Sequence, residues 1–298
     1  MYKLKETTFR LTVVITILMI ATNRIYCQNK ALMSIPFQLI DNRPFIEVKI
    51  NNIKFHFMVD CGGINAIDAD VTDQLGLRKY DKKEVQGAGE KPAAIWSTNV
   101  KELIVGNDTS NEVKLISISL KSIKENLNLP YLDGLIGYDY FKGKIMQIDY
   151  PKKLIHFYAS FIDSDPVSFS LFSSRIPLIK AFVGKDTLDL LIDTGDRSEL
   201  TFLKHTAQKL KISNHYELSD IKITGYGVGG PVYAKTFVLE QLKINNRHYK
   251  NIKTRIPDAM SGLFALTDID GSIGSGFLKN YILTISYIDN KLYLKPSS

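Results

Sequence analysis

Cysteine is scarce in this chain. Cys27 and Cys61 are the two among 298 residues, too few for a disulfide framework. With 19 glycines and 10 prolines, collagen-like and low-complexity classes are excluded. The five histidines (His56, His156, His205, His215 and His248) show no ligand spacing, and no Cys/His cluster has zinc spacing, so no metal is expected. There is no Gly-x-Ser-x-Gly elbow. Long charge runs are also missing. Lys82-Lys83 and Lys152-Lys153 are pairs, of the kind found on solvated surfaces, and Trp96 stands alone as a tryptophan, so nucleic acid is not an expected partner.

The one conspicuous apolar run, LTVVITILMIA at 11–21, is eleven residues long and too short to span a bilayer comfortably. Lys3, Lys5 and Arg10 precede it and a polar stretch follows, the layout of a secretory signal. Residues 1–27 are therefore expected to be a signal peptide, cleaved after Cys27. Ile25 and Cys27 stand in the small-residue positions. Export to a periplasmic or extracellular space follows, with membrane association only if the leader stays uncleaved or Cys27 is lipidated. Loss of the leader takes the formal charge from +7 to +4 and leaves Cys61 as the remaining cysteine.

What is present is ordinary globular composition, 45% hydrophobic and 23% charged, which excludes disorder. Period-two alternation rich in β-branched and aromatic residues recurs at 45–50, 54–60, 144–150, 221–224, 237–244 and 281–287. Asn51-Asn52, Gly106-Asn107 and Asp289-Asn290 punctuate these runs as turns. Helical pattern is confined to short pieces near 70–77 and 203–211. The reading is all-β, mostly antiparallel.

The chain also repeats itself. KFHFMVDCGG at 54–63 corresponds to DLLIDTGD at 189–196, and DGLIG at 133–137 to DGSIG at 270–274. Glycine-rich segments, Gly87-Ala88-Gly89 and Gly225 to Gly230, lie between these landmarks in each half. Asp193 follows Asp60 by 133 residues, and Gly271 follows Gly134 by 137. Three landmarks in one order at nearly equal spacing predict two equivalent lobes, 28–163 and 175–298, joined by a Ser/Asp/Pro-containing stretch. Gly225-x-Gly227-x-x-Gly230 formally fits a dinucleotide fingerprint, but strand pattern and Pro231 follow it where a helix is required, so no such cofactor is expected.

Each half has an apolar run ending in Asp-X-Gly, at Asp60-Cys61-Gly62 and Asp193-Thr194-Gly195. A lone Asp-X-Gly is usually just a strand-end turn. Two in register across a pseudo-twofold axis can bring their carboxylates together. Two such groups cannot both ionise, so one serves as base toward a water and the other as acid toward a carbonyl oxygen.

Over about residues 34–295 the sequence resembles the retropepsin/pepsin-like aspartic proteases, in the secreted bacterial form with two lobes in one chain. The resemblance implies a two-lobed double β-barrel with a central cleft, Asp60 and Asp193 as the catalytic pair, and active-site turns completed by Cys61, Gly62, Thr194 and Gly195. It implies that the strands bearing Gly134, Gly137, Gly271 and Gly274 cross beneath those turns. By position it makes Gly87, Gly89, Tyr226 and Gly227 candidates for a covering flap. The activity implied is hydrolysis of a peptide or protein by a monomer without cofactor or metal; the alternative is a peptide- or partner-binding module that keeps the fold. Three positions depart from the family pattern. Cys61 replaces a hydroxyl residue that helps lock the turns together. Asp196 adds a third carboxylate able to raise a pKa of the pair. Ser272 stands where an apolar residue is usual.

Overall fold

A computed structural model describes residues 30–296. The expected signal peptide at 1–27 lies outside the described residues. Strands dominate. The first half contributes β1 (Ala31–Pro36), β2 (Gln38–Ile40), β3 (Arg43–Ile50), β4 (Ile53–Val59), β5 (Ala66–Asp68), β6 (Tyr80–Val85), β7 (Ala93–Val105), β8 (Asp108–Ile118), β9 (Gly134–Ile136), β10 (Ile145–Asp149) and β11 (Leu154–Tyr158). The second contributes β12 (Val167–Phe172), β13 (Ile176–Val183), β14 (Asp186–Asp193), β15 (Leu200–Phe202), β16 (Lys222–Gly227), β17 (Gly230–Ile244), β18 (Arg247–Pro257), β19 (Gly271–Gly274), β20 (Tyr281–Ser286) and β21 (Lys291–Pro296). Helices are short, and two of them, Ala69–Gln74 and Lys204–Lys209, fall where helical pattern was expected.

Local chemistry explains the hairpins. Asn51 and Asn52 both take positive φ (50° and 69°), the geometry of a two-residue turn whose twist matches its flanking strands, and β3 pairs with β4 from Ile50↔Ile53 to Phe45↔Met58. Phe55, Phe57 and Val59 then point inward and are buried. Truncating a side chain like Phe57, fully buried, costs about 3–5 kcal/mol.

The two halves repeat strand by strand. An eight-stranded sheet runs β2-β3-β4-β9-β5-β8-β7-β6 and turns back on itself through β3–β7. A thirteen-stranded sheet contains β12-β13-β14-β19-β15-β18-β17-β16, the same order with ten added to each number, and turns back through β13–β17. Its remaining strands, β1-β11-β10-β20-β21, form a platform to which both halves contribute. At its centre β10 and β20 pair antiparallel, with Ile148 opposite Leu283.

The stretch between 163 and 175 is not a plain linker: it holds β12, which pairs with both β13 and β21. Val167, Phe169 and Leu171 alternate with Ser168 and Ser170, a period-two pattern that the nearby Asp, Pro and Ser residues obscure. The pairing is mostly antiparallel, as expected, with four parallel pairs. These are β4–β9, β5–β8, β14–β19 and β15–β18, and all of them surround the Asp-X-Gly turns.

Candidate active site

Both Asp-X-Gly turns sit at the ends of strands held by a parallel neighbour. Val59 pairs with Ile136, and the Asp60 N–H donates to the Ile136 carbonyl at 2.9 Å. Asp193 lies opposite Gly274 in the register of β14 and β19. The strands carrying Gly134, Gly137, Gly271 and Gly274 thus run directly against the turns. Side chains there would collide with backbone: a Cβ at Gly137 would lie 2.5 Å from the Gly63 carbonyl oxygen, and one at Gly274 2.7 Å from that of Asp196. The acidic residue before each motif is structural. Asp133 Oδ2 accepts the His56 N–H at 2.9 Å, and Asp270 Oδ2 accepts the Asp189 N–H at 2.8 Å.

The two turns bring the carboxyls of Asp60 and Asp193 close enough to interact directly. Asp60 Oδ1 accepts the Gly62 N–H at 3.0 Å. Asp193 Oδ1 accepts from Gly195 at 2.8 Å and from Asp196 at 3.1 Å. Each glycine lies flat against the opposite acid. A Cβ at Gly195 would sit 2.6 Å from Asp60 Cγ, and one at Gly62 would sit 2.8 Å from Asp193 Cγ. Any larger residue there would push the carboxyls apart.

Beneath the acids, Cys61 and Thr194 interlock, both fully buried. The Cys61 N–H donates to Thr194 Oγ1 (2.9 Å), and the Thr194 N–H approaches Cys61 Sγ (3.4 Å). The Thr194 hydroxyl donates to the Val59 carbonyl at 2.8 Å and the Cys61 thiol to the Ile192 carbonyl at 3.3 Å. Cys61 therefore fills the place of a hydroxyl residue, with a longer and weaker bond on its side. Burial and the neighbouring Asp193 push its thiol pKa far up, which keeps it protonated.

The electrostatics treat the two acids unequally. Burial raises the pKa of both. For Asp60 this is opposed by the Asp193 carboxyl, the Gly62 N–H and the charge of Arg43. For Asp193 the charges of Asp60 and Asp196 add to burial and carry it well above an ordinary carboxylic acid. Both acids hold a proton more tightly than an ordinary carboxylic acid, and the pair shares one. N–H donors occupy Oδ1 of both acids, two on Asp193 and one on Asp60, which leaves the Oδ2 atoms for the sharing.

A cleft of about 200 Å³ opens above the pair. Gly87 and Gly89 lie in the loop between β6 and β7, and Tyr226 and Gly227 at the end of β16 beside its turn into β17. These two loops meet over the cleft, where Gly89 N–H donates to Val228 O (2.9 Å) and Lys91 N–H to Gly229 O (3.0 Å). Their tips cross. Val228 packs on the first half's apolar cluster, which includes Met58 and Leu132, while Ala88 packs on the second half's cluster with Leu191 and Phe264.

Charged residues that the sequence patterns did not single out also line the cleft. Arg43 is buried and donates to Asp41 Oδ2 at 2.6 Å; Arg197, from the other half, approaches the same oxygen at 3.2 Å. Asn42 reinforces the link by donating to the Arg197 carbonyl and accepting from Lys279. Arg255 donates to Asp196 Oδ2 at 2.8 Å. Nothing local in the sequence marks these arginines, because folding alone brings them to the acids. Among the described residues, no group of three or more His, Cys, Asp or Glu could hold a metal ion.

The family model described as aspartyl protease matches residues 46–140, a stretch that includes Asp60-Cys61-Gly62 and Gly134 to Gly137. No curated protein matches the chain. Residues 46–140 are thus similar to the aspartyl proteases, of the retropepsin-like kind.

Proposed function

We propose that this protein is an aspartic endopeptidase in which Asp60 and Asp193 together activate a water molecule against a peptide bond. The observation that carries the reading is the close approach of two carboxyls, one from each half, each with the glycine of the opposite turn flat against it and each with a raised pKa. Asp60, the ionised member, takes a proton from water as its oxygen adds to the carbonyl carbon. Asp193 gives its proton to the carbonyl oxygen, producing a tetrahedral diol. In collapse the C–N bond breaks, Asp60 delivers its proton to the departing nitrogen, and Asp193 recovers one from the diol hydroxyl. Both acids end as they began, and no covalent intermediate forms.

An extended peptide suits the cleft, whose covering loops offer backbone groups for strand-like pairing. Both acids come from one chain, so the active unit is a monomer, exported after loss of residues 1–27. Digestion of a fluorogenic peptide library with the purified protein tests the activity. Sustained cleavage is expected, and binding without turnover would instead support a peptide-binding module. Specific activity independent of enzyme concentration is expected of the monomer. An intact Met1 on cytoplasmic protein would contradict export.

A further inference from the structure

The strand repeat allows the two walls of the cleft to be compared position by position. In the first half Ala66 lies opposite Ile116 on β8 and Leu135 on β9. In the second, Thr201 lies opposite Arg255 on β18 and Ser272 on β19. The row Ile116, Ala66, Leu135 is therefore matched by Arg255, Thr201, Ser272. At these three positions the first half is apolar and the second polar, and of the six residues Leu135, Arg255 and Ser272 line the cleft. Asp196, which corresponds to Gly63, belongs to the same polar wall, so two departures from the family pattern fall in one constellation.

Arg255 is held rigidly. Its Nε donates to Thr201 Oγ1 at 2.9 Å, its Nη2 to Asp196 Oδ2 at 2.8 Å, and the Phe264 ring lies 5.2 Å away. The residue is 6% exposed and lines the cleft. Its Nη1 has no acceptor among the described residues and lies under Gly225 of the covering hairpin. The hydroxyl of Ser272, a residue also 6% exposed and on the cleft wall, has no hydrogen-bond partner among them either. Asp196 has no such spare capacity: Ser198 N–H donates to its Oδ1 at 3.0 Å, and Ser198 Oγ and Arg255 both donate to Oδ2 at 2.8 Å. The wall thus presents donors with capacity to spare beside a carboxylate already satisfied. That favours an anion over a cation.

We propose that Arg255 and Ser272 form a subsite for a carboxylate side chain. The substrate is then a peptide with a bulky apolar residue on one side of the scissile bond, against Leu135 and its neighbours, and Glu or Asp on the other. This rests on the reading of Asp60 and Asp193 as the hydrolytic pair. The test uses the full chain and quenched fluorescent peptides identical except at one residue beside the bond, which is Glu, Gln, Leu or Lys, in both orders relative to a fixed Leu. In one order, kcat/KM for Glu should exceed that for Gln and Lys by about tenfold or more. Ser272→Leu, which copies the apolar wall, should shift the Glu-to-Leu ratio toward Leu by a similar factor, and Arg255→Met should lower it as well. Equal cleavage of Glu and Lys peptides, or preference for Lys, overturns the proposal while leaving the hydrolytic reading intact. If no peptide is cut, the hydrolytic reading fails, and fluorescence anisotropy of the same peptides decides the subsite: tighter binding of Glu than of Lys supports it, and the reverse overturns it.

Discussion

Cys61 and Thr194 hold each other by reciprocal bonds, backbone N–H to side chain in both directions, at 2.9 Å and 3.4 Å. The same two side chains then reach on to Ile192 and Val59, so four hydrogen bonds fix the spacing of the acids above them. The thiol makes the weakest of these.

Replacing it with a hydroxyl should tighten the clasp. Cys61→Thr is expected to keep activity and raise Tm by roughly 2–4 °C, as a gain of about 1 kcal/mol would in a chain of this size. Cys61→Ala should lower both. The wild-type thiol, buried and protonated, should resist alkylation in the native state. Rapid inactivation by alkylating agents together with an inactive threonine variant would make Cys61 a nucleophile instead.

The raised pKa values of the acids set a stability trend whose sign is definite. A carboxylic acid with folded pKa above its ordinary 3.8 binds its proton more tightly when folded. Its contribution is fully present below the unfolded value and is lost as pH rises through the folded one. Asp193→Asn, which keeps the shape without the ionisation, should therefore melt higher than wild type at pH 7, by roughly 2–4 °C. That gain should vanish below about pH 4. Thermal melts across pH 3–8 check this, and a gain that grows toward acid would contradict it.

The crossed loop tips predict a kinetic effect without a structural one. Gly229 has φ +96°, and Gly89 lies against the opposing Gly229–Gly230 backbone. Gly89→Ala should hold the tips apart and lower kcat/KM by about tenfold. Tm should change by less than about 2 °C, because the loop contributes little to the core. Unchanged kinetics would mean that the loops do not act on bound substrate.

Much of this arrangement was legible in the sequence, for identifiable reasons. Asp60 and Asp193 stood out because each ends an apolar strand and the spacing between them recurs at Gly134 and Gly271. The β3–β4 hairpin was legible because Asn51-Asn52 divides two alternating runs. β12 was hidden among residues that look like a linker. Arg43 and Arg255 were illegible because their meaning lies in register: Arg255 matters through Thr201 opposite it and Asp196 beside it. Asp196 and Ser272 were visible as departures, but their common purpose emerges only where β15, β18 and β19 place them on one wall. The crossing of Ala88 and Val228 depends on how the halves face each other, which no local pattern encodes.

The central claim is that Asp60 and Asp193 work as one proton-sharing unit, and a double-mutant comparison of peptide turnover tests it most directly. Asp60→Asn and Asp193→Asn should each reduce kcat/KM by about a thousandfold or more. The double variant should be scarcely worse than either, since residues acting as a unit do not contribute additively. The wild type should show a bell-shaped pH profile whose two limbs belong to the pair. Losses that multiply in the double variant, or a single asparagine variant retaining near wild-type turnover, would show that the two carboxyls do not act together.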